Sequence, residues 1–324
     1  MPWNKYKIEK KQLYSGGTWI DSVPLQTREG SMIGTFDTYS DCVNNHSGYT
    51  SDYLTFVALE SGKFAFRPTN SDSTTLQYSL DNGRTWTSLG VGDLAFDLGD
   101  STPMISTGQK VLWKGNINAL SEYCTDVDIC NGVGYFQSTG RFNVEGNIMS
   151  LLNNGVDFDQ NLTITRKRQF KSILYRTHVV SAENLILPAT AITEGCYYQL
   201  FRECVELETG PAILPAMELK MFCYSGMFKD CDNLTKAPIL PATALPNDIS
   251  DECYTFMFDG CSELHYIKMM QSENPQHCSN YSDWSRDLPN EGTLVINANA
   301  QWINNSTLVN CIVPTGWTVQ TASS

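Results

Sequence analysis

The chain has 324 residues, of which 41% are hydrophobic and 18% charged, with a net charge of −13. That length is material for two or three domains, and the composition is that of an ordinary folded protein. The acidic balance argues against wrapping a nucleic-acid backbone, and no apolar run reaches the ~20 residues that span a bilayer.

In chain order, residues 1–55 read as a β-rich docking segment. The start, Met1 to Lys11, is charged and has no apolar core of the kind a secretory signal needs, so no export signal is expected. Lys5, Lys7, Lys10 and Lys11 read as the solvated start of a first strand. Leu13 to Ile20 holds β-branched and aromatic residues around Gly16-Gly17, a hairpin pattern. Thr38 to Ser51 is polar and reads as loop.

Residues 56–136 read as a small β-sandwich-like domain, with strands expected at 54–59, 63–67, 76–79 and 110–114. Inside it, Ser79, Asp81, Gly83 and Trp86 spell an Asp-box, Ser-x-Asp-x-Gly-x-Thr-Trp. Asn82-Gly83 supplies the positive φ of a tight turn, Asp81 can bond the turn's amides, and Trp86 packs back. Sialidase propellers carry this motif without using it in catalysis. One box without a run of blades is a turn device.

Residues 137–169 are a connector. Just before it, Tyr123 to Cys130 alternates like a strand, and its Asp126 and Asp128 are too few oxygens for a calcium loop. Arg166-Lys167-Arg168, the one dense positive run, reads as a solvated face.

Residues 170–268 hold a repeat. Leu187-Pro188-Ala189-Thr190, Leu214-Pro215-Ala216-Met217 and Leu240-Pro241-Ala242-Thr243 each precede a Cys-Tyr-x-x-(Leu/Met)-Phe-x-x-Cys run. Those runs are Cys196, Phe201, Cys204; Cys223, Phe228, Cys231; and Cys253, Phe258, Cys261. A period in the twenties marks a solenoid, in which each unit buries its apolar face on its neighbour. Offsets of 0, 4, 5 and 8 predict a short helical segment per unit. A worn first copy places Leu174-Tyr175 opposite Leu200-Phe201, with His178 near the expected cysteine. Residues 269–324 read as a cap, loop-like over 271–291, with Trp302 and Trp317 placed to cover the last layer.

Eleven cysteines is an odd number, so at least one stays free or pairs between chains. Eight residues of helix is roughly 12 Å, too long for a disulfide within a repeat pair. No C-x2-4-C zinc spacing occurs, and Cys261 with His265 has no second pair nearby. The repeat thiols therefore read as small buried hydrophobes. None of His46, His178, His265 and His277 lies in a catalytic motif.

The repeat units resemble the BspA-type leucine-rich repeats common in proteins of gut Bacteroidetes and their phages. Gly140 to Leu152 and Val313 to Val319 are similar to segments flanking such arrays in virion-associated proteins of crAss-like phages. The resemblance implies a mainly β fold with short helices: a β-sandwich-like N-terminal region, then a short leucine-rich solenoid with a C-terminal cap. It also implies a virion structural protein, a tail or collar fibre or head decoration assembled in the host cytoplasm and serving in attachment. That compartment is reducing, which favours free thiols. The implied partners are other virion proteins, further copies of the chain as a trimer or ring, and a host-surface glycan or protein. No nucleic acid, membrane insertion, metal or cofactor is expected. The alternative is a free adhesin whose repeat surface binds glycan or protein through Tyr198, Tyr224 and Tyr254, although Tyr197, Tyr224 and Tyr254 form one ladder beside the cysteines. A fibre-borne glycan hydrolase ranks third, since a carboxylate pair for it would meet only in space. The expectation is a binder and not an enzyme.

Overall fold

The computed structural model describes the strands within residues 12–33 by their backbone, and residues 53–68, 75–89, 101–117, 134–246 and 251–322. It is mainly β, with one seven-residue α-helix among the described residues. The chain divides into two compact units, Met1–Gly48 and Tyr49–Ser324. Lys5 to Lys11, Thr38 to Ser51 and Tyr123 to Cys130 lie outside the described residues.

In the first unit β1 (Gln12–Ser15) pairs antiparallel with β2 (Thr18–Asp21), with Ser15 opposite Thr18. Likewise β3 (Gln26–Arg28) pairs with β4 (Ser31–Ile33).

The second unit begins with β5 (Leu54–Ala58), β6 (Phe64–Pro68), β7 (Thr75–Ser79), β8 (Thr87–Leu89), β9 (Lys110–Asn116), β10 (Gly134–Ser138), β11 (Phe142–Asn147) and β12 (Val179–Ile186). Six of these form one sheet in the order β12-β11-β5-β9-β7-β8, and β6 pairs with β10 as a separate ribbon. The inward residues of β9 alternate, with Val111, Trp113 and Gly115 buried. An aromatic core joins sheet to ribbon: Phe56 lies 4.9 Å from Phe136, and Trp113 also lies 4.9 Å from Phe136.

The sheet does not stop at the expected connector. β11 and β12 run parallel, and bridges continue from Ser181 to Thr209, from Thr209 to Lys236 and from Leu240 to Met269. The ladder ends in three parallel strands, β13 (Tyr266–Met269), β14 (Thr293–Ile296) and β15 (Thr318–Thr321). Opposite these strands lie five stacked turns, 168–177, 195–204, 222–231, 252–261 and 279–287.

The predicted helical segment is absent from every turn. Alternate amides instead close three-residue turns, as Tyr198 N–H does on Gly195 and Leu200 N–H on Tyr197. The amides between them cross to the next turn, Tyr197 onto Cys223 and Gln199 onto Ser225. A left-handed residue recurs every fourth position, at Gly195, Gln199 and Glu203 and again at Phe222, Gly226 and Asp230. Backbone bonding between turns outweighs the helical spacing of the side chains, because each crossing amide replaces a water partner inside a dry stack.

Two further expectations are corrected. Phe170 N–H bonds the Cys196 carbonyl as Tyr197 N–H bonds that of Cys223, so Phe170 is the equivalent of Tyr197. Leu174 therefore stands opposite Phe201, not Leu200, and Thr177, not His178, occupies the cysteine position. The Thr177 hydroxyl lies 3.6 Å from the Cys204 thiol. Residues 279–287, expected to be loop, form the fifth turn: Tyr254, Phe256 and Phe258 donate to Asn280, Ser282 and Trp284.

Beyond it, α1 (Ser306–Ile312) starts on Asn305, whose side chain accepts from Thr307 and Leu308 N–H. A disulfide joins Cys278 to Cys311 on this helix, with Cα atoms 5.8 Å apart. The expectation of free thiols did not foresee it. Trp302 is buried and donates to the Gln271 carbonyl, and Trp317 donates to that of Pro289. A side chain at Gly292 would collide with the Trp317 ring, its Cβ 2.5 Å from the nearest ring atom.

Candidate functional site

Three groupings are built by the fold: the interior ladders, the charged edge of the turns, and the Asp-box hairpin. The ladders come from identical residues meeting across turns. Phe170, Tyr197, Tyr224, Tyr254 and Tyr281 form one column with successive ring centroids 5.8, 5.9, 6.2 and 5.9 Å apart. Phe201, Phe228, Phe258 and Trp284 form a second, its phenylalanine pairs within 12° of parallel. The tyrosines named for an adhesin surface are therefore interior: Tyr224 and Tyr254 are buried, and Tyr198 is 9% exposed.

Cys196, Cys204, Cys223, Cys231, Cys253 and Cys261 are all buried and free. The second cysteine of each pair is a donor and not merely a hydrophobe. Cys204 bonds the Leu174 carbonyl at 2.9 Å, Cys231 that of Phe201 at 3.1 Å and Cys261 that of Phe228 at 3.1 Å. Each thiol thus reaches back to the preceding turn. Burial holds the thiols protonated, pushing Cys204 up to about 12 and Cys231 well above the usual thiol range. A thiol so held is a poor nucleophile and a poor metal ligand.

On the outer edge, equivalent positions carry Tyr175, Arg202, Lys229, Asp259 and Arg286. Asp259 is buried and held from both sides. Lys229 pairs with it from the preceding turn, and Arg286 grips it from the following turn with two bonds of 2.8 and 2.6 Å. Both cations also flank the half-buried Phe256 ring, at 5.1 and 5.7 Å. Nearer the sheet, Glu203 accepts from Tyr175 and Arg176, and Glu206 pairs with Arg141 at 2.7 Å and His178 at 2.8 Å. The positive run is used internally: Lys167 and Arg168 reach Glu194 at 2.7 and 3.0 Å. His265 faces the Glu291 carbonyl at 2.8 Å. Among the described residues no three of His, Cys, Asp or Glu gather as a metal set, and no helix is long and apolar enough to cross a membrane.

The chain matches no family model, no curated protein and no solved structure.

The Asp-box residues meet in one turn between β7 and β8. The Ser79 hydroxyl accepts from Gly83 N–H at 2.8 Å and donates to Asp81 at 2.8 Å. Asp81 in turn accepts from the Thr85 amide at 2.8 Å and its hydroxyl at 2.7 Å. Those two Thr85 bonds, with that of Ser79, hold the carboxyl down at about 2. Asn82 and Gly83 have φ of 59° and 82°, the left-handed pair such a turn needs. Trp86 packs edge-on to Tyr53 at 4.9 Å under the Lys114 ammonium at 4.4 Å. The polar groups of Ser79, Asp81 and Thr85 bond one another inside the turn.

Sequence reasoning missed the salt-linked Asp259 and the disulfide. Asp259 stood two residues before Cys261 and carried no signal, because its partners are 27 and 30 residues away.

Proposed function

We propose that the chain is a phage virion structural protein, a fibre, collar or head-decoration component that serves in attachment to the bacterial surface. On this reading the five turns are a BspA-type leucine-rich solenoid. The sheet and ribbon are its sandwich-like base, and residues 288–322 flank its far end. One observation carries the proposal: the strand ladder passes from the base into the stack through the parallel pair β11 and β12. Base and stack therefore form a stiff projection, while the side chains of the turns are committed to holding their neighbours. The likeness of the Leu-Pro-Ala and Cys-Tyr-x-x-Met-Phe-x-x-Cys units to phage-borne repeats supplies the particle. Partners are other virion proteins and further copies of the chain.

The test is the mass of the purified chain by light scattering, with and without reductant. A trimer or larger ring unaffected by reductant is expected. A monomer at all concentrations counts against the proposal and favours a free binding module. A dimer that reductant dissolves would refute self-assembly through the fold.

A further inference from the structure

Among the described residues the fifth turn faces no sixth. In the fourth turn Phe256, Phe258 and Gly260 spend their amides on the carbonyls of Ser282, Trp284 and Arg286. The equivalent amides of the fifth turn belong to Asp283, Ser285 and Asp287, and they have no protein acceptor among the described residues. Against them opens a cleft of about 780 Å³, lined on one wall by the fifth turn and on the other by Asn310, Cys311 and Val313 to Thr315. No residue of the fourth turn lines it, so it lies on the outer side, where a further turn would stack. α1 does not fill that role, because none of its carbonyls accepts from Asp283, Ser285 or Asp287. The disulfide from Cys278 to Cys311 pins the helix beside the turn and fixes the width between the walls. Trp284 and Ser279 also line the cleft, and their indole N–H and hydroxyl are buried without a partner among the described residues.

We propose that this cleft is a docking groove for a polypeptide segment of a partner, which adds its main-chain carbonyls to the amides of Asp283, Ser285 and Asp287. The occupant follows from continuity. Four times along the stack the same row of amides is met by carbonyls two residues apart, and a peptide backbone is the chemistry that presents them so. A segment able to match the turn carries Gly, Asn or Asp at every fourth position, where the left-handed conformation recurs. A second copy's own stack is not the occupant by its first turn, because that turn already accepts from Phe136 at the Ile173 carbonyl. The groove does not depend on the virion reading.

The experiment uses the full chain, oxidised, and a synthetic peptide with the sequence of residues 278–288 carrying C278S. Amide exchange over 279–289 is followed by mass spectrometry while the peptide is raised to roughly millimolar. Exchange at 283–287 is expected to slow at least tenfold. Thr315→Trp, which narrows the groove from the far wall, is expected to weaken binding at least tenfold, as is Ser285→Pro, which removes the central amide. If Ser285→Pro does not fold, Thr315→Trp decides alone. Unchanged exchange with the peptide would overturn the proposal, as would equal protection in Thr315→Trp. Protection by a chitooligosaccharide but not by the peptide would also overturn it, and would make the groove a glycan site.

Discussion

In the base, Phe56 meets four different partners, Phe64, Phe136, Phe142 and Trp113, at ring angles from 43° to 77°. In the stack, Tyr197 meets Tyr224 at 2° and Phe201 meets Phe228 at 8°. The base fills its core as a jigsaw of unlike pieces, each fitted to several elements at once. The stack fills its core by repetition, each piece touching its own kind above and below. A defect in the first should spread across the fold, and a defect in the second should stay near its turn.

The largest expected effect tests that difference directly. Phe56→Ala should cost about 3–5 kcal/mol and lower denaturant resistance of base and stack together. Phe228→Ala should cost a similar amount by the same rule, but amide exchange should quicken mainly in the turns 195–204, 222–231 and 252–261. Uniform quickening in both variants would break the comparison.

A smaller effect is expected at Asp259. Asp259→Asn removes the charge that Lys229 and Arg286 share, and should cost about 1–3 kcal/mol. The lower figure applies because Arg286 is 48% exposed and screened by water. Local exchange at the fourth and fifth turns is the readout, and no change in either would sink the idea that the outer edge clamps the stack. The companion Lys229→Met should cost less.

The smallest lies in the hairpin. Asp81 titrates at about 2 in the folded chain against 3.8 ordinarily, so its stabilising effect is complete above the ordinary value. The effect is lost as pH falls from about 4 toward 2. Trp86 fluorescence should report the hairpin loosening in that window, and Asp81→Asn should remove the pH step. A step surviving in Asp81→Asn would assign it elsewhere.

The central turns were legible because cysteine, tyrosine and phenylalanine all recur in register, and the Asp-box because its bonds are local. The first turn was read one residue out of register, since Phe170, Leu174 and Thr177 keep the shapes of the pattern but not its cysteines. The fifth was missed for the same reason: Tyr281 and Trp284 continue both aromatic columns, while Asn280 stands where Cys253 does. The backbone of the turns was not legible at all. Their left-handed positions include Phe222, Glu252 and Phe256, residues with no preference for that conformation, placed there by bonding to neighbouring turns. The disulfide joins residues 33 apart, beyond any local spacing rule.

The crossing amides of every turn point the same way along the stack. A gene that gained or lost one whole unit of about 27 residues would lengthen or shorten the stack by one strand spacing, ~4.8 Å, and leave both of its ends chemically unchanged. The stack is in this sense a ruler with fixed end-pieces, whose length can evolve in equal steps without altering what borders it at either end.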